Sequence, residues 1–181
     1  MKRLIQKKLK KTKENLYYIL SALMIGLIVG GIDALFGRVL IAITDFRGRY
    51  IQIFIWFLPI AGLFICWMYH RFNEMSLKGM TLVLETAQGK RADIPLALVP
   101  LVMVGTWITH LFGGSAGREG VAVQIGATLS HWFARRFKFA DNRTILLIAG
   151  MAAGFGGLFQ TPFAAVFFAM EVVVTGKMLY Q

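Results

Sequence analysis

Arg118 and Glu119 stand side by side in a glycine-rich stretch, Gly113-Gly114-Ser115-Ala116-Gly117-Arg118-Glu119-Gly120, with apolar sequence on both sides. A helix starting at about Arg118 would point unpaired N–H groups and the positive end of its dipole into the space before it. Such an end attracts an anion without a full positive charge, which would hold the ion too tightly to release. The Glu119 carboxylate could fill that place itself. Protonation would neutralise it and let it swing away, so a single side chain could couple proton movement to anion movement. A plainer reading makes Glu119 an ordinary N-terminal helix carboxylate paired with Arg118 near a surface. From these residues alone both readings stay open.

The surrounding sequence says what must hold this stretch. Of the 181 residues 57% are hydrophobic, and the mean hydropathy is +0.63, well above an ordinary soluble domain. Three runs carry no charged residue: Leu16 to Ile32, Tyr50 to Tyr69 and Ile94 to Ala116. Each is close to the roughly 20 residues that cross a bilayer. The expectation is an all-α, multi-pass protein of the cell membrane. The first run is too long for the apolar core of a cleavable leader and is read as a span.

The net charge of +11 does not point to nucleic acid. Much of it lies ahead of the first span, in Lys2, Arg3, Lys7, Lys8, Lys10, Lys11 and Lys13, and this places the N-terminus in the cytoplasm. Leu4, Ile5 and Leu9 alternate with these cations. Residues 1–14 are therefore either a helix lying on anionic headgroups or a solvated basic tail.

Span one is expected from about Asn15 to about Thr44, with Gly26, Gly30 and Gly31 as a small-residue packing face. Span two runs from Tyr50 to Arg71 with a kink at Pro59, and aromatic residues (Tyr50, Trp67, Tyr69) mark its ends. Ser76 to Thr86 is too short to cross and reads as a half-helix or re-entrant piece. Span three follows from Ile94 to about Phe112. After the glycine stretch a further helix runs from Val121 to Phe133 and ends at Arg135, Arg136 and Lys138. Ile145 to Val174 holds a small-residue block, Ala149 to Gly157, then a break at Gln160-Thr161-Pro162. Helices interrupted by Gly or Pro at membrane depth are the strongest sequence pointer to a transporter's binding site.

Other motifs carry less. Gly154-x-Gly156-Gly157 lacks the preceding strand of a dinucleotide loop and reads as helix packing. His70, His110 and His131 lack metal-ligand spacing, and Ser115 lacks a His/Asp set. Cys66, inside span two, reads as a small hydrophobe. No cofactor and no enzymatic centre are expected.

The run Gly117-Arg118-Glu119-Gly120-Val121-Ala122-Val123-Gln124-Ile125-Gly126 resembles the GREGPxVQxG signature of the CLC family of chloride channels and anion/proton exchangers. Gly150-Met151-Ala152-Ala153-Gly154, and Phe163-Ala164-Ala165 with Glu171, fit the same pattern, so the likeness covers essentially the whole chain. It implies an all-helical bundle of tilted and broken transmembrane helices, built as inverted repeats and working as a homodimer. It gives Glu119 the role of gate. It puts the anion against Gly117, Arg118, Gly120, Val121 and Met80, with Gln124 and Gly126 as structural members of the motif.

Three departures refine this. Val121 replaces the usual proline. Lys78-Gly79-Met80-Thr81-Leu82 stands where chloride-selective members have GSGIP, with Met80 in the serine's place. A thioether cannot donate a hydrogen bond to an anion, and the combination resembles the fluoride/proton antiporter branch. Val172 occupies the position of the second carboxylate of the chloride/proton exchangers, after Glu171. Family members are more than twice this length, so residues 15–181 are expected to be the N-terminal half of a CLC-type domain, the first inverted repeat only, unable to transport alone. Fluoride export coupled to protons is the preferred expectation. Chloride transport, and a non-transporting assembly subunit, are the alternatives.

Overall fold

A computed structural model describes residues 2–91, 93–137 and 143–175, all of them helix, turn or loop. The side chains of the basic N-terminal segment, apart from Thr12, lie outside the described residues, as does Lys138.

The first helix, α1, runs from Lys2 to Phe54, with one non-helical residue at Tyr50 (φ −129°, ψ 15°). A 3₁₀ turn, Ile55–Phe57, leads into α2, Leu58–Phe72. At the expected kink the α-helix is interrupted by the 3₁₀ turn Ile55–Phe57, directly before Pro59. Pro59 lies in the first turn of α2, where its missing N–H costs nothing because no intrahelical acceptor is available there. A second irregularity lies at Tyr50. After a 3₁₀ turn, Glu74–Lys78, the half-helix is α3, Met80–Ala87. Then follow α4 (Leu98–Leu111), α5 (Arg118–Arg136), α6 (Arg143–Phe159) and α7 (Pro162–Thr175). Gln160 between α6 and α7 has φ 57°, and Pro162 opens α7 where proline is tolerated.

Among the described residues one helical run, Asn15–Phe72, is long and apolar enough to cross a membrane, while Leu98–Leu111, Arg143–Phe159 and Pro162–Val173 are shorter apolar helices. Only 28% of the most apolar window in that run is buried within the chain. Leu23, Leu27, Trp56, Leu63, Phe163 and Phe167 all face outward. A surface this apolar suits lipid or a protein partner.

The centre of the bundle is the pair α5 and α6. A Cβ added at Gly126 would lie 1.9 Å from the Gly150 carbonyl oxygen, and one at Gly154 would lie 2.1 Å from the Ala122 carbonyl oxygen. The two backbones therefore touch through glycines, which is how helices associate where lipid removes the hydrophobic drive. The glycine face expected on α1 is used differently. A Cβ at Gly26, Gly30 or Gly31 would meet nothing within 4 Å, although Gly30 Cα lies opposite Gly157.

α1 runs antiparallel to α5. Ile25 and Val29 share an apolar cluster with Phe133, Ala134 and Leu146, and Phe36 and Leu40 share another with Val121 and Ile125. Trp107 Nε1–H donates to the Phe36 carbonyl (3.2 Å) and Arg47 Nη1 donates to the His110 carbonyl (3.1 Å), tying α4 to α1. A third cluster, with Leu82, Val83, Val123, Ala127, Leu147 and Met151, seats α3 on α5 and α6.

Candidate functional site

Two helices begin inside this frame, and Gln124 stands between their starts. Gly79 is the N-cap of α3, with φ 50° and ψ −122°, a backbone conformation that only glycine adopts without strain. A Cβ there would lie 3.6 Å from Gln124 Oε1. The other end of the same amide faces the first turn of α5, with Nε2 3.7 Å from where a Gly120 Cβ would be. Gln124 is 8% exposed. The start of α3 is thus packed against the second turn of α5, one turn from that helix's own free N–H groups.

Gly117, the N-cap of α5, is extended (φ −67°, ψ 135°), and no side chain caps the helix. The N–H groups of Gly117, Arg118, Glu119 and Gly120 have no acceptor within the helix. Glu119 is exposed and turns back over its own helix start, with Oε2 3.2 Å from where a Gly117 Cβ would be. No ion pair joins Arg118 to Glu119 among the described residues. Arg118 instead lines a cavity of about 340 Å³ with Leu40, Ile41, Thr44, Asp45 and His110. That cavity sets the Arg118 end of α5 beside Thr44 and Asp45 of α1.

The remaining candidates divide. Val121 is buried in the cluster with Phe36, Leu40, Val99 and Ile125, and its N–H is the first that the helix itself can satisfy. Met80 opens α3 beside the Gly79 cap, half-buried and packed against the cluster of Leu82, Val123 and Met151. Gly126 belongs to the α5–α6 contact. Val172 packs against the same cluster as Met80.

The opposite end of α5 carries a second constellation that sequence reading passed over. Arg135 Nη1 pairs with Asp93 Oδ2, and His131 Nε2 lies 3.3 Å from Asp93 Oδ1 without hydrogen-bond geometry. In the loop before α4, the Arg135 guanidinium holds the Asp93 carboxyl below its usual range, against the opposing effect of partial burial. Nearby, Glu85 of α3 hydrogen-bonds Arg91 and lies 3.7 Å from Lys78 Nζ. His70 and His110 each direct Nδ1 to the carbonyl four residues back, on Cys66 and Thr106. A further carboxylate, Asp33, is fully buried in α1. A lone acid just past an uncharged run was the signal that could have found it.

Comparison with known proteins follows the same lines. The family described as voltage gated chloride channel matches residues 61–180. A chloride/fluoride channel protein of Pseudomonas syringae pv. tomato is 36% identical over 159 residues, covering 87% of this chain and 35% of that protein. An H(+)/Cl(−) exchange transporter of Citrobacter koseri is 27% identical over 184 residues, covering 93% of this chain and 38% of that one. The crystal structure of a CLC-type fluoride/proton antiporter superposes with a TM-score of 0.82 at 47% identity, covering 84% of this chain and 38% of the other. The chain thus spans between a third and two-fifths of the length of these proteins.

Proposed function

The chain belongs to the voltage gated chloride channel (CLC) family, and on that premise we propose that it is part of a membrane transporter that exports fluoride in exchange for protons, with Glu119 as the gating carboxylate. The observation that carries this reading is the packing of the α3 start against Gln124, one turn inside the start of α5. Both starts offer unpaired N–H groups, and the α5 start bears a carboxylate able to occupy the anion's place. A small, strongly hydrated anion needs such donors to replace its water. Neutral Glu119 vacates the place and ionised Glu119 competes for it, so proton and anion occupy it alternately.

Fluoride is preferred over chloride on two counts. Met80 opens α3 with a side chain that donates no hydrogen bond, and identity is 47% to the fluoride/proton antiporter but 27% to the H(+)/Cl(−) exchanger. Placement in the cell membrane with the N-terminus inside is supported by charge. Arg91, Arg135, Arg136 and Arg143 lie at the same end of the bundle as the N-terminal half of α1, which agrees with the positive-inside rule. A homodimer remains the expected assembly and would use some of the outward apolar surface.

The test is ion efflux from liposomes holding the longest product of the gene, with fluoride and chloride electrodes side by side. Fluoride release well ahead of chloride, lost in Glu119→Ala, is expected. Release that is equal or favours chloride would discard the fluoride reading and return Met80 to packing.

A further inference from the structure

Asp33 lies within the apolar part of α1, is 0% exposed, and has no hydrogen-bond partner at either carboxylate oxygen. What covers it is the glycine-bearing face of α6. A Cβ at Gly157 would lie 3.6 Å from Asp33 Oδ2 and 3.5 Å from Gly30 Cα. The cover is made by this chain itself, which leaves no opening through which another side chain or a headgroup could pair with the acid.

The charged and titratable groups of every element packed around it lie elsewhere. On α1 the nearest such group is the exposed Arg38, more than a turn along the helix, and Tyr18 lies about four turns away. α6 carries none between Thr144 and Phe159, and Arg143 opens it at the far end. On α5, Arg118 and Glu119 are exposed at the start, and His131, Arg135 and Arg136 stand at the distant end. α4 offers His110, committed to the Thr106 carbonyl, and α7 offers Glu171, which is exposed. No cation lies within ion-pair distance of Asp33 among the described residues. An isolated ionised carboxylate is among the costliest groups to bury, and neutralisation is the usual escape.

We propose that Asp33 is a proton-binding site separate from Glu119, loaded while α1 is closed on α6 and emptied only when the two helices part. The proton leaves to water entering the opened seam. α5 and α6 interlock through their backbones at Gly126, Gly150 and Gly154, whereas α1 meets them chiefly through the side chains of Ile25, Val29, Phe36 and Leu40, with a looser backbone approach at Gly30 and Gly157. The α1 seam is the one that can open without breaking the central pair. Proton occupancy of Asp33 therefore biases the position of α1 against the block that carries Glu119. This goes beyond the fluoride reading and does not rest on it.

The experiment uses no ion flux, so its failure is distinct from failure of the transport reading. Infrared spectra are taken of the protein in lipid, with only its aspartates isotope-labelled so that Glu119 is silent. A label-shifted protonated-carboxyl stretch is expected at neutral pH, and its loss in Asp33→Asn. The thermal unfolding midpoint of the parent protein should fall as pH rises, and that of Asp33→Asn should stay level by comparison. Absence of the band in the parent overturns the proposal even if the variant fails to fold. A band accompanied by identical pH profiles in both proteins overturns the link to helix opening.

Discussion

Replacing Gly126 by alanine tests the packing that holds the site in place. The added Cβ would fall 1.9 Å from the Gly150 carbonyl oxygen, where ordinary contact begins at 3.4 Å, so the two backbones would have to part by roughly 1.5 Å. The obstacle is main chain on a helix, and no rotamer change relieves it. Inserting a methyl group into a packed interior typically costs about 1–3 kcal/mol, and a backbone clash belongs at the upper end. That is on the order of a hundredfold in the folded-to-unfolded ratio. The same substitution at Gly31 meets nothing within 4 Å and should be neutral or stabilising by up to about 1 kcal/mol through helix propensity. Reversible unfolding in mixed detergent micelles, followed by circular dichroism, gives both values on one scale. Gly126→Ala should also lose transport, because α5 carries both Gln124 and Glu119. If both variants unfold at the same point as the parent, the α5–α6 contact is not backbone to backbone, and the argument from it fails.

Other expectations can be checked alongside. Gly79→Ala has room, its Cβ lying 3.6 Å from Gln124 Oε1, but it forces alanine into φ 50°. It should cost about 1–3 kcal/mol and impair transport, and unchanged stability would mean that α3 starts elsewhere. Arg135→Gln removes the group that holds Asp93 below its usual range. The stability from this pair is present above the unfolded carboxylate value and is lost as pH falls through the lower folded one. The parent should therefore lose slightly more stability than the variant on acidification, since a pair this exposed is largely screened by solvent, and an acid titration of the melting point checks the difference. Val172→Glu places a carboxylate against the cluster that holds Met80. It should destabilise by about 2.5–3.5 kcal/mol, and a variant as stable as the parent would show that this position is wet.

Much of this was readable in advance where one residue type dictates local geometry. The half-helix at Ser76 to Thr86 and the helix beginning at Arg118 follow from Gly79 and from the glycines before Arg118. The helix end at Arg135 and Arg136 follows from charge. Direction in space was less legible. Glycines at 26, 30 and 31 and at 126, 150 and 154 look alike in sequence, yet only the second set meets another backbone. Which face of a helix turns inward depends on partners that periodicity does not name. The irregularity at Tyr50 was not legible, because that residue has no breaker chemistry of its own. Asp33 escaped because it sits just past the uncharged run that defined the span.

The distribution of acids bears on how coupling can work. Glu85 is held between Lys78 and Arg91, and Asp93 between Arg135 and His131. Paired this way, both are tied to the ionised form and are poor proton carriers. Glu119 and Asp33 form no ion pair among the described residues, and one is exposed while the other is sealed. Val172 packs as a hydrophobe against the cluster that holds Met80, and its side chain carries no proton. Under the proposed function Glu119 competes with the anion at a helix start, and under the proposal for Asp33 the access of that second carboxyl to water depends on the spacing of α1 and α6. An exposed acid exchanges protons with one side of the membrane at any time, whereas a sealed one exchanges only in a particular arrangement of helices. A transporter that alternates between arrangements needs groups of both kinds, and Glu119 and Asp33 supply one of each.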